Sequence, residues 1–393
     1  MKALLVGGGA REHAIAKRLG ESSEIAAVMK HKNPGIARIA KSFLLESETN
    51  VEKVVEFALK EKADFAVVGP EAPLEKGLAD ALEAKGIPCV GASQKASLLE
   101  TNKLFCRQFM RDNGIECGPD FFVFDDAKEA AGFLKGMEKA VVKPLGLTGG
   151  KGVKVMGEQV SKQEALDYAA MLVKKDGMVL VEECLEGEEF SLQAFVSLEE
   201  KNQALEAMAQ TVRALKKSGV EYKGILYGQF MLTRKGPKLV EYNARFADPE
   251  SMNVLPLLQS DFTQLCWKII DGTLSQKHAV FESKATVVKY AVPEGYPDNP
   301  LKGVEITVDE SKINSLGGEV FYASVSEENA RLLLGGSRAV AVLGKGDSIG
   351  EAEGIAQKAI ETVKGKIFYR KDIGTKELVE KRIAHMRAIK GTG

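Results

Sequence analysis

A hairpin of two apolar strands near the middle of the chain constrains the fold most. Residues 227–232 form the first strand, and the turn at 235–237 folds the second strand back antiparallel. Glu241 and Asn243 lie two residues apart in that second strand, so their side chains point to one face. The pairing brings Gln229 beside Glu241. Oxygen donors of this kind suit Mg²⁺ when nucleotide phosphates supply most of its shell. The alternative is a strand that ends in an exposed acidic turn.

A second signal for nucleotide binding lies at residues 140–156. A strand over 140–144 carries Lys143 and leads into four glycines within residues 146–152, whose backbone N–H groups can approach phosphates. Lys151 adds positive charge there. Since 153–156 reads as a return strand, we predict a hairpin lid that excludes water. A Walker loop does not fit, because no hydroxyl residue follows the lysine. A flexible hairpin with an incidental lysine is the alternative.

The strand over residues 178–182 ends in a short connector. Backbone groups of Glu182 and Glu183 are predicted to read an adenine edge there, and Leu185 is predicted to face the ring. The alternative is that these glutamates form a charged strand edge.

Residues 1–100 have the pattern of a doubly wound α/β domain. A buried strand at 2–6, a glycine turn at 7–9 and a helix from residue 11 form an anion site by geometry. The dinucleotide fingerprint fails because Glu12 stands where the third glycine belongs, which disfavours NAD. A second buried strand at 65–68 ends in a loop on the ligand-binding edge of such a sheet.

Composition limits the remaining function classes. The 393 residues suggest two to three domains, and the net charge of −1 gives no argument for nucleic acid or an anionic membrane as a partner. Five scattered cysteines disfavour a disulfide framework or a zinc site. Without an apolar run long enough for a signal peptide or a membrane span, the chain is expected to be cytoplasmic.

Longer motifs resemble one known family. The run Glu-Tyr-Asn-Ala-Arg-Phe-Ala-Asp-Pro-Glu at 241–250, followed by Val-Leu-Pro-Leu-Leu at 254–258, closely resembles the ATP-grasp core of phosphoribosylamine–glycine ligases. Ala247 stands where the family usually has glycine. Gly-Gly-Gly-Ala-Arg-Glu-His-Ala at 7–14, Gly-Pro-Glu-Ala-Pro-Leu at 69–74 and Tyr-Arg-Lys-Asp-Ile-Gly at 369–374 are similar to further motifs of this family.

The resemblance implies a multidomain α/β and α+β fold. Its parts are an N-terminal doubly wound domain (1–100), an ATP-grasp domain (101–325) with a lid at about 118–190, and a small C-terminal α/β domain (326–393). The implied reaction joins glycine to 5-phospho-β-D-ribosylamine through glycyl phosphate, with ATP and Mg²⁺ or Mn²⁺, in purine biosynthesis. Another ATP-grasp carboxylate–amine ligase and a non-catalytic ATP-binding protein are the alternatives. The implied protein is a monomer or weak homodimer whose partners are these small molecules.

The resemblance also assigns residues by position. For ATP it implies Lys103, Lys143, Gly149, Gly150, Lys151, Glu182, Glu183, Leu185 and Glu189. For the metal it implies Gln229, Glu241 and Asn243. For the substrates it implies Gly8, Gly9, Arg11, Glu12, His13, Pro70, Glu71, Asp248, Arg338 and Arg370. Arg245 and Lys143 are the predicted catalytic residues, Arg245 by orienting the substrate or the transferring phosphoryl group. A satisfied or surface histidine is an equal alternative for His13.

One family feature is missing from the sequence. After the strand at 191–196, the family carries a long insert with an Asp-His-Lys-Arg run and a Gly-Pro-Asn-Thr-Gly-Gly-Met-Gly loop, which help to hold the substrates. Here residues 197–203 lead directly into a helix at 204–217. The chain as written is therefore expected to bind Mg-ATP but to ligate glycine poorly or not at all. If the natural gene encodes this short form, the protein is a diverged paralogue or a pseudoenzyme. If a loop has been lost from the sequence, the parent is an ordinary ligase, and the clean gap favours the lost loop.

Overall fold

The computed structural model describes residues 1–148, 152–195 and 203–391. Its backbone divides into two compact units. The first comprises Met1–Gln94, Lys223–Ile225 and Arg245–Ala384, and the second comprises Lys95–Tyr222, Leu226–Ala244 and His385–Gly393. The three domain ranges given by the sequence stay a prediction. Among the described residues, no helix combines the length and apolar character needed to cross a membrane.

The first unit opens with a parallel sheet of short apolar strands in the order β3-β2-β1-β4-β5. Its strands are β1 (Lys2–Val6), β2 (Glu24–Met29), β3 (Ser42–Leu45), β4 (Phe65–Val68) and β5 (Cys89–Val90). Parallel neighbours require crossover connections, and these contain α1 (Ala10–Leu19), α2 (Pro34–Ile39), α3 (Val51–Glu61), α4 (Glu71–Glu75) and α5 (Leu78–Glu83). The predicted doubly wound fold is confirmed.

The second unit contains two sheets, with strand orders β6-β9-β7-β8 and β10-β11-β12. Their strands are β6 (Phe121–Phe124), β7 (Ala140–Lys143), β8 (Lys154–Met156), β9 (Val179–Glu182), β10 (Glu188–Phe195), β11 (Ile225–Thr233) and β12 (Gly236–Asn243). The helices are α6 (Gln94–Thr101), α7 (Lys103–Asp112), α8 (Ala127–Lys135), α9 (Lys162–Asp176) and α10 (Gln203–Lys217).

The register of β11 and β12 confirms the central pairing predicted from sequence. Gln229 lies opposite Glu241, whereas Phe230 lies opposite Leu239, so Val240 is an extra residue that forms a β-bulge. The turn itself is shifted from the prediction. It lies at residues 234–235, and β12 already begins at Gly236. The φ of Gly236 is +108°, a backbone conformation that favours glycine because it has no Cβ.

Two separate helices, α6 and α7, meet at Asn102. α6 ends at Thr101, and Asn102 has an extended backbone whose side chain accepts a hydrogen bond from the Phe105 N–H. Asparagine is a favourable residue for this capping role. Lys103 therefore stands at the first position of a separate helix.

The rest of the first unit is mixed α/β, with strand orders β15-β18-β13-β20 and β16-β17-β14-β19. Its strands are β13 (Ala285–Pro293), β14 (Glu305–Thr307), β15 (Gly318–Tyr322), β16 (Val325–Glu328), β17 (Arg331–Leu334), β18 (Val340–Gly346), β19 (Lys364–Gly365) and β20 (Ile367–Phe368). The helices are α11 (Glu250–Val254), α12 (Phe262–Ile270), α13 (Glu310–Ser315) and α14 (Ile349–Ile360), with 3₁₀ turns at Leu255–Leu257 and Gln276–His278. The last helix, α15 (Lys376–Lys390), belongs to the first unit up to Ala384 and to the second unit from His385.

A lysine is buried in the interior of this last region. The side chain of Lys289 is fully buried, and its Nζ donates at 2.7 Å to Glu353 Oε1, to Gln357 Oε1 and to the Lys371 carbonyl. All three ammonium donors are thus used. The lysine joins β13 to α14 and to the segment that follows β20.

Replacing Lys289 with methionine is expected to destabilise the protein by about 3 kcal/mol, because it leaves a largely buried carboxylate without its partner. Denaturant unfolding measures the loss. The control is Lys345→Met on the adjacent strand β18, where the pair with Glu282 is partly exposed, so the change should stay within about 0.5 kcal/mol. Equal losses in the two variants would contradict a special role for the buried lysine.

Candidate functional site

The predicted metal ligands lie at one end of the β11–β12 hairpin in the second unit. The Gln229 amide donates to Glu189 Oε2 at 3.2 Å, so Glu189, one of the residues implied for ATP, lies beside the predicted ligand set. Glu241 faces Gln229 across the strands, and Asn243 faces Tyr227. The described residues contain no group of three or more His, Cys, Asp or Glu side chains placed to hold a metal. One carboxylate with amide oxygens fits a Mg²⁺ that takes further ligands from phosphates.

Lys143 takes part in a buried cluster of three charges, which we call the Arg107–Glu182–Lys143 triad. The Lys143 Nζ lies 2.6 Å from Glu182 Oε2, and the Arg107 Nε lies 2.7 Å from Glu182 Oε1. A second bond, 3.2 Å long, joins Arg107 Nη2 to Glu182 Oε2. Burial alone would raise the pKa of Glu182, but the two cations outweigh it and hold the pKa below its usual value. Glu182 is therefore a carboxylate.

Lys103 lies near the triad. Its Nζ donates to the Gly146 carbonyl at 2.9 Å, at the start of the predicted lid. Burial lowers the pKa of Lys103, the charge of Glu241 opposes that shift, and the charge of Lys143 adds to it. The charges of Glu241 and Lys143 both act on the Lys103 ammonium. Gly149, Gly150 and Lys151 lie outside the described residues.

The connector after β9 differs in part from the prediction. The Glu183 N–H donates to the Asp120 carbonyl at 3.0 Å, and the Glu183 carboxylate accepts from the Asp120 N–H at 3.0 Å. This N–H is therefore not available to an adenine edge. Leu185 is half-buried and lines a cavity of about 680 Å³ together with the β11–β12 turn and residues 385–389.

Three predicted site residues of the first unit, Arg11, Glu71 and Arg245, form a second cluster, built on arginines. Arg11 Nη1 lies 3.9 Å from Glu71 Oε2, and Arg245 Nε lies 3.3 Å from the same oxygen. Both guanidinium groups also donate to the Phe246 carbonyl at 3.1 Å. Burial would raise the pKa of Glu71, but Arg245 and Arg11 hold it below its usual value.

Asp248 belongs to the same unit and binds two side chains. Arg338 Nη2 lies 3.3 Å from Asp248 Oδ2, and the Tyr290 hydroxyl donates to Asp248 Oδ1 at 2.7 Å. The guanidinium of Arg338 also lies over the Tyr290 ring, 4.9 Å from its centroid. Such a surface of arginines and carboxylates can bind phosphate and carboxylate groups in defined orientations.

The glycine turn is not the open anion site that its geometry predicts. The Gly9 N–H donates at 2.7 Å to the carboxylate of Glu12, three residues further on, and the Gly8 carbonyl accepts from Asn33. An anion would have to displace the Glu12 carboxylate from the Gly9 N–H. Pro70 packs close to Gly7 in the turn.

Two predicted substrate residues have other partners. His13 is buried, its Nδ1 accepts from the Tyr322 N–H at 3.0 Å, and a Cβ at Gly35 would lie 2.0 Å from its ring. Burial lowers the pKa of His13 well below its usual value. The structure thus favours the satisfied histidine over a substrate contact. Arg370 is exposed and pairs with Asp372, two residues away, rather than with the arginine cluster.

Sequence reasoning missed Arg107 and Tyr290. Arg107 lies one helical turn after Lys103 on α7, and this i, i+4 spacing was the available signal. Tyr290 lies in an apolar run, and nothing in that run marks its hydroxyl as a partner of Asp248.

Comparisons with known proteins agree with these observations. The profile "Phosphoribosylglycinamide synthetase, N domain" matches residues 1–100, the ATP-grasp (A) domain profile matches 101–207 and 197–251, and the C domain profile matches 286–376. The chain is 48% identical to a phosphoribosylamine–glycine ligase of Pyrococcus furiosus, with 100% of this chain and 98% of the relative covered. It is 45% identical to the protein of that name from Methanocaldococcus jannaschii, covering 99% and 100%.

Solved structures show the same fold. A phosphoribosylamine–glycine ligase of Thermotoga maritima superposes with a TM-score of 0.78 at 24% identity, covering 95% of this chain and all of the other. N5-carboxyaminoimidazole ribonucleotide synthetase from the same organism gives 0.63 at 15% identity, covering 92% and 98%.

The alignments also bear on the missing insert. The alignment with the Pyrococcus furiosus relative extends over 436 positions, whereas this chain has 393 residues, a difference of 43. The two matches to the ATP-grasp profile overlap at residues 197–207. Both observations agree with a segment that is present in relatives and absent from this chain near residue 197.

Proposed function

Since the chain belongs to the phosphoribosylamine–glycine ligase family, ATP-grasp enzymes of purine biosynthesis, we propose how its own residues divide the work of the ligation. The reaction joins glycine to phosphoribosylamine at the expense of ATP. Lys143 and Lys103 hold phosphates of ATP, and Glu241 with Gln229 and Asn243 holds Mg²⁺ or Mn²⁺. The observation that supports this most directly is that the Lys103 Nζ donates at 2.9 Å to the Gly146 carbonyl, three residues after Lys143, while Glu241 lies opposite Gln229 in the hairpin.

The arginine cluster is proposed to hold the other two substrates. Arg11, Arg245 and Arg338 supply guanidinium groups for the carboxylate of glycine and the phosphate of phosphoribosylamine, while Glu71 and Asp248 keep these groups oriented. In the first chemical step, a glycine carboxylate oxygen attacks the γ-phosphorus of ATP, and ADP leaves. The amine then attacks the carbonyl carbon of glycyl phosphate, phosphate leaves, and the nitrogen loses a proton.

No side-chain nucleophile is needed for either step. The bound ion supplies charge neutralisation at the phosphates when it is present. The protein's residues contribute by positioning the reactants and by stabilising charge in the transition state. The same proposal includes a cytoplasmic monomer or weak homodimer that does not bind nucleic acid or membranes, in keeping with 54 basic against 55 acidic residues.

Replacing Lys143 with alanine is the test of the nucleotide assignment. The apparent affinity for ATP is expected to fall about tenfold or more, because a charge-assisted contact to phosphate is lost. The control is Lys154→Ala on the neighbouring strand β8, whose lysine is only half-buried. Titration with ATP in the presence of Mg²⁺ measures both. Equal losses would mean that the two lysines act only through general charge.

A further inference from the structure

A buried group that neither the family motifs nor the proposed function uses is the guanidinium of Arg107. Its side chain is 5% exposed, and it is held by the carboxylate of Glu182 through both Nε and Nη2. Nη2 also donates at 2.6 Å to the carbonyl of Val240. Its remaining nitrogen, Nη1, is buried without a hydrogen-bond partner among the described residues. An arginine in this setting is costly to bury, which calls for a reason.

The charge of the triad supplies one part of the reason. Arg107 and Lys143 are cations and Glu182 is the only anion among the three, so the triad carries a net charge of +1 while each member is at most 6% exposed. A buried group of charges that does not balance is stabilised by an anion that enters beside it. Lys143 ends β7 at the start of the predicted lid, and is the member of the triad proposed to meet a phosphate.

Arg107 also determines how strongly Glu182 holds Lys143. Glu182 would then have Lys143 as its only cationic partner in the triad, and the buried pair would be neutral. The Lys143 ammonium would have to break its 2.6 Å contact and leave a buried carboxylate unpaired before it could turn to a phosphate. With Arg107 present, Glu182 keeps two hydrogen bonds when the lysine turns away.

The contact with Val240 places the same arginine beside the metal ligands. Val240 is the extra residue of the β-bulge, and it immediately precedes Glu241. Arg107 therefore bonds both to β9, which leads to the predicted adenine connector, and to β12, which carries the predicted metal ligands.

We propose that Arg107 is a positioning residue for the nucleotide: by neutralising Glu182, it leaves the charge of Lys143 available to a phosphate of ATP. This inference rests on the proposed role of Lys143. Arg107 itself is not assigned a contact with substrate. Its effect is on where the Lys143 ammonium can go and on how firmly the Val240 carbonyl is held.

A set of charge variants tests the proposal through binding rather than turnover. The triad carries +1 in the parent, 0 in Arg107→Met, and +1 again in the double variant Arg107→Met/Glu182→Gln. Calorimetric titration with ADP and Mg²⁺ is compared with titration with adenosine, which has no phosphate that could bind Lys143. Arg107→Lys serves as the conservative variant, and Arg111→Met, an exposed position one turn further along α7, is the control.

Arg107→Met is expected to weaken ADP binding by about 10- to 100-fold, the range for a lost charge-assisted contact, while adenosine binding changes little. The double variant should recover most of the ADP affinity, because Lys143 no longer has a carboxylate to pair with. Arg107→Lys should lose less than Arg107→Met, and Arg111→Met should bind as the parent does.

Two results would overturn the inference. One is a parallel loss of ADP and adenosine binding in Arg107→Met, which would indicate a collapsed pocket. The other is a double variant that binds ADP no better than the single one. The Lys143→Ala variant distinguishes failure of the proposed phosphate contact from failure of the proposed role of Arg107. If it binds ADP normally, the proposed phosphate contact is wrong. If it binds poorly while Arg107→Met binds normally, only the role of Arg107 is wrong.

Discussion

Turnover of glycine ligation is expected to fall by about two to three orders of magnitude when Glu241 is replaced by glutamine, which is the range seen when one preorganised charge-stabilising group is removed. The substitution keeps the size and the hydrogen-bonding shape of the side chain but removes its negative charge. Glu241 is the only carboxylate in the proposed ligand set, and Gln229 opposite it contributes a neutral amide. Loss of that charge should weaken binding of the divalent ion more than replacement of either amide ligand would.

The measurement is the rate of ADP release at saturating ATP, glycine and phosphoribosylamine, over a range of Mg²⁺ and Mn²⁺ concentrations. The variant should require more metal and should be rescued only in part by it. The matched control is Glu206→Gln on α10, an exposed glutamate of the same unit that pairs with Arg213, which should leave the rate unchanged. Normal turnover of Glu241→Gln at ordinary metal concentrations would remove this residue from the site.

Restoring the segment that relatives carry near residue 197 is expected to raise glycine-dependent ADP release by about 100-fold, the size of effect that a misplaced substrate can have on rate. The chain belongs to a family of phosphoribosylamine–glycine ligases, and we expect this segment to determine how fast it performs the ligation. The predicted ATP and metal residues are all present, so ATP binding should be the same with and without the segment. The loss should appear only in steps that involve glycine and phosphoribosylamine.

The experiment inserts into this chain, after residue 196, the segment that the Pyrococcus furiosus relative carries at that place in the alignment. A glycine and serine segment of equal length is the control for length alone, and it should give no gain. The intact mass of the parent protein is measured first and compared with the 42.5 kDa of the sequence. Rapid glycine ligation by a chain of that mass would contradict the expectation and would show that the segment is dispensable.

The parts of the site that follow from local sequence could be predicted. The hairpin and the pairing of Gln229 with Glu241 follow from two neighbouring apolar strands, although the turn lies at residues 234–235 and the bulge at Val240 has no signal in the sequence. Lys143 was found because it ends an apolar strand just before a run of glycines. These signals lie within a few residues of each other, and the backbone geometry of strands and turns translates them directly into positions.

Contacts between distant parts of the chain could not be predicted in this way. The pair of Arg107 with Glu182 joins residues 75 positions apart, and the pair of Asp248 with Tyr290 joins residues 42 apart. Neither has a periodic pattern that marks it. Glu12 illustrates a different limit. Its position breaks a dinucleotide fingerprint, which the sequence shows directly, whereas its carboxylate accepts from the Gly9 N–H only in the folded protein.

The extra residue at Val240 also matters to anyone who wishes to alter the hairpin. Strand pairing on the turn side of the bulge follows one register, and pairing on the side of Glu241 follows another. A deletion of Val240 would merge the two registers, and it would also remove the carbonyl that accepts from Arg107. Changes of length at the turn, by contrast, are separated from the pair of Gln229 and Glu241 by the bulge, where the register already changes. A reporter peptide or a crosslinking residue is therefore better introduced at residues 234–235 than anywhere within β12.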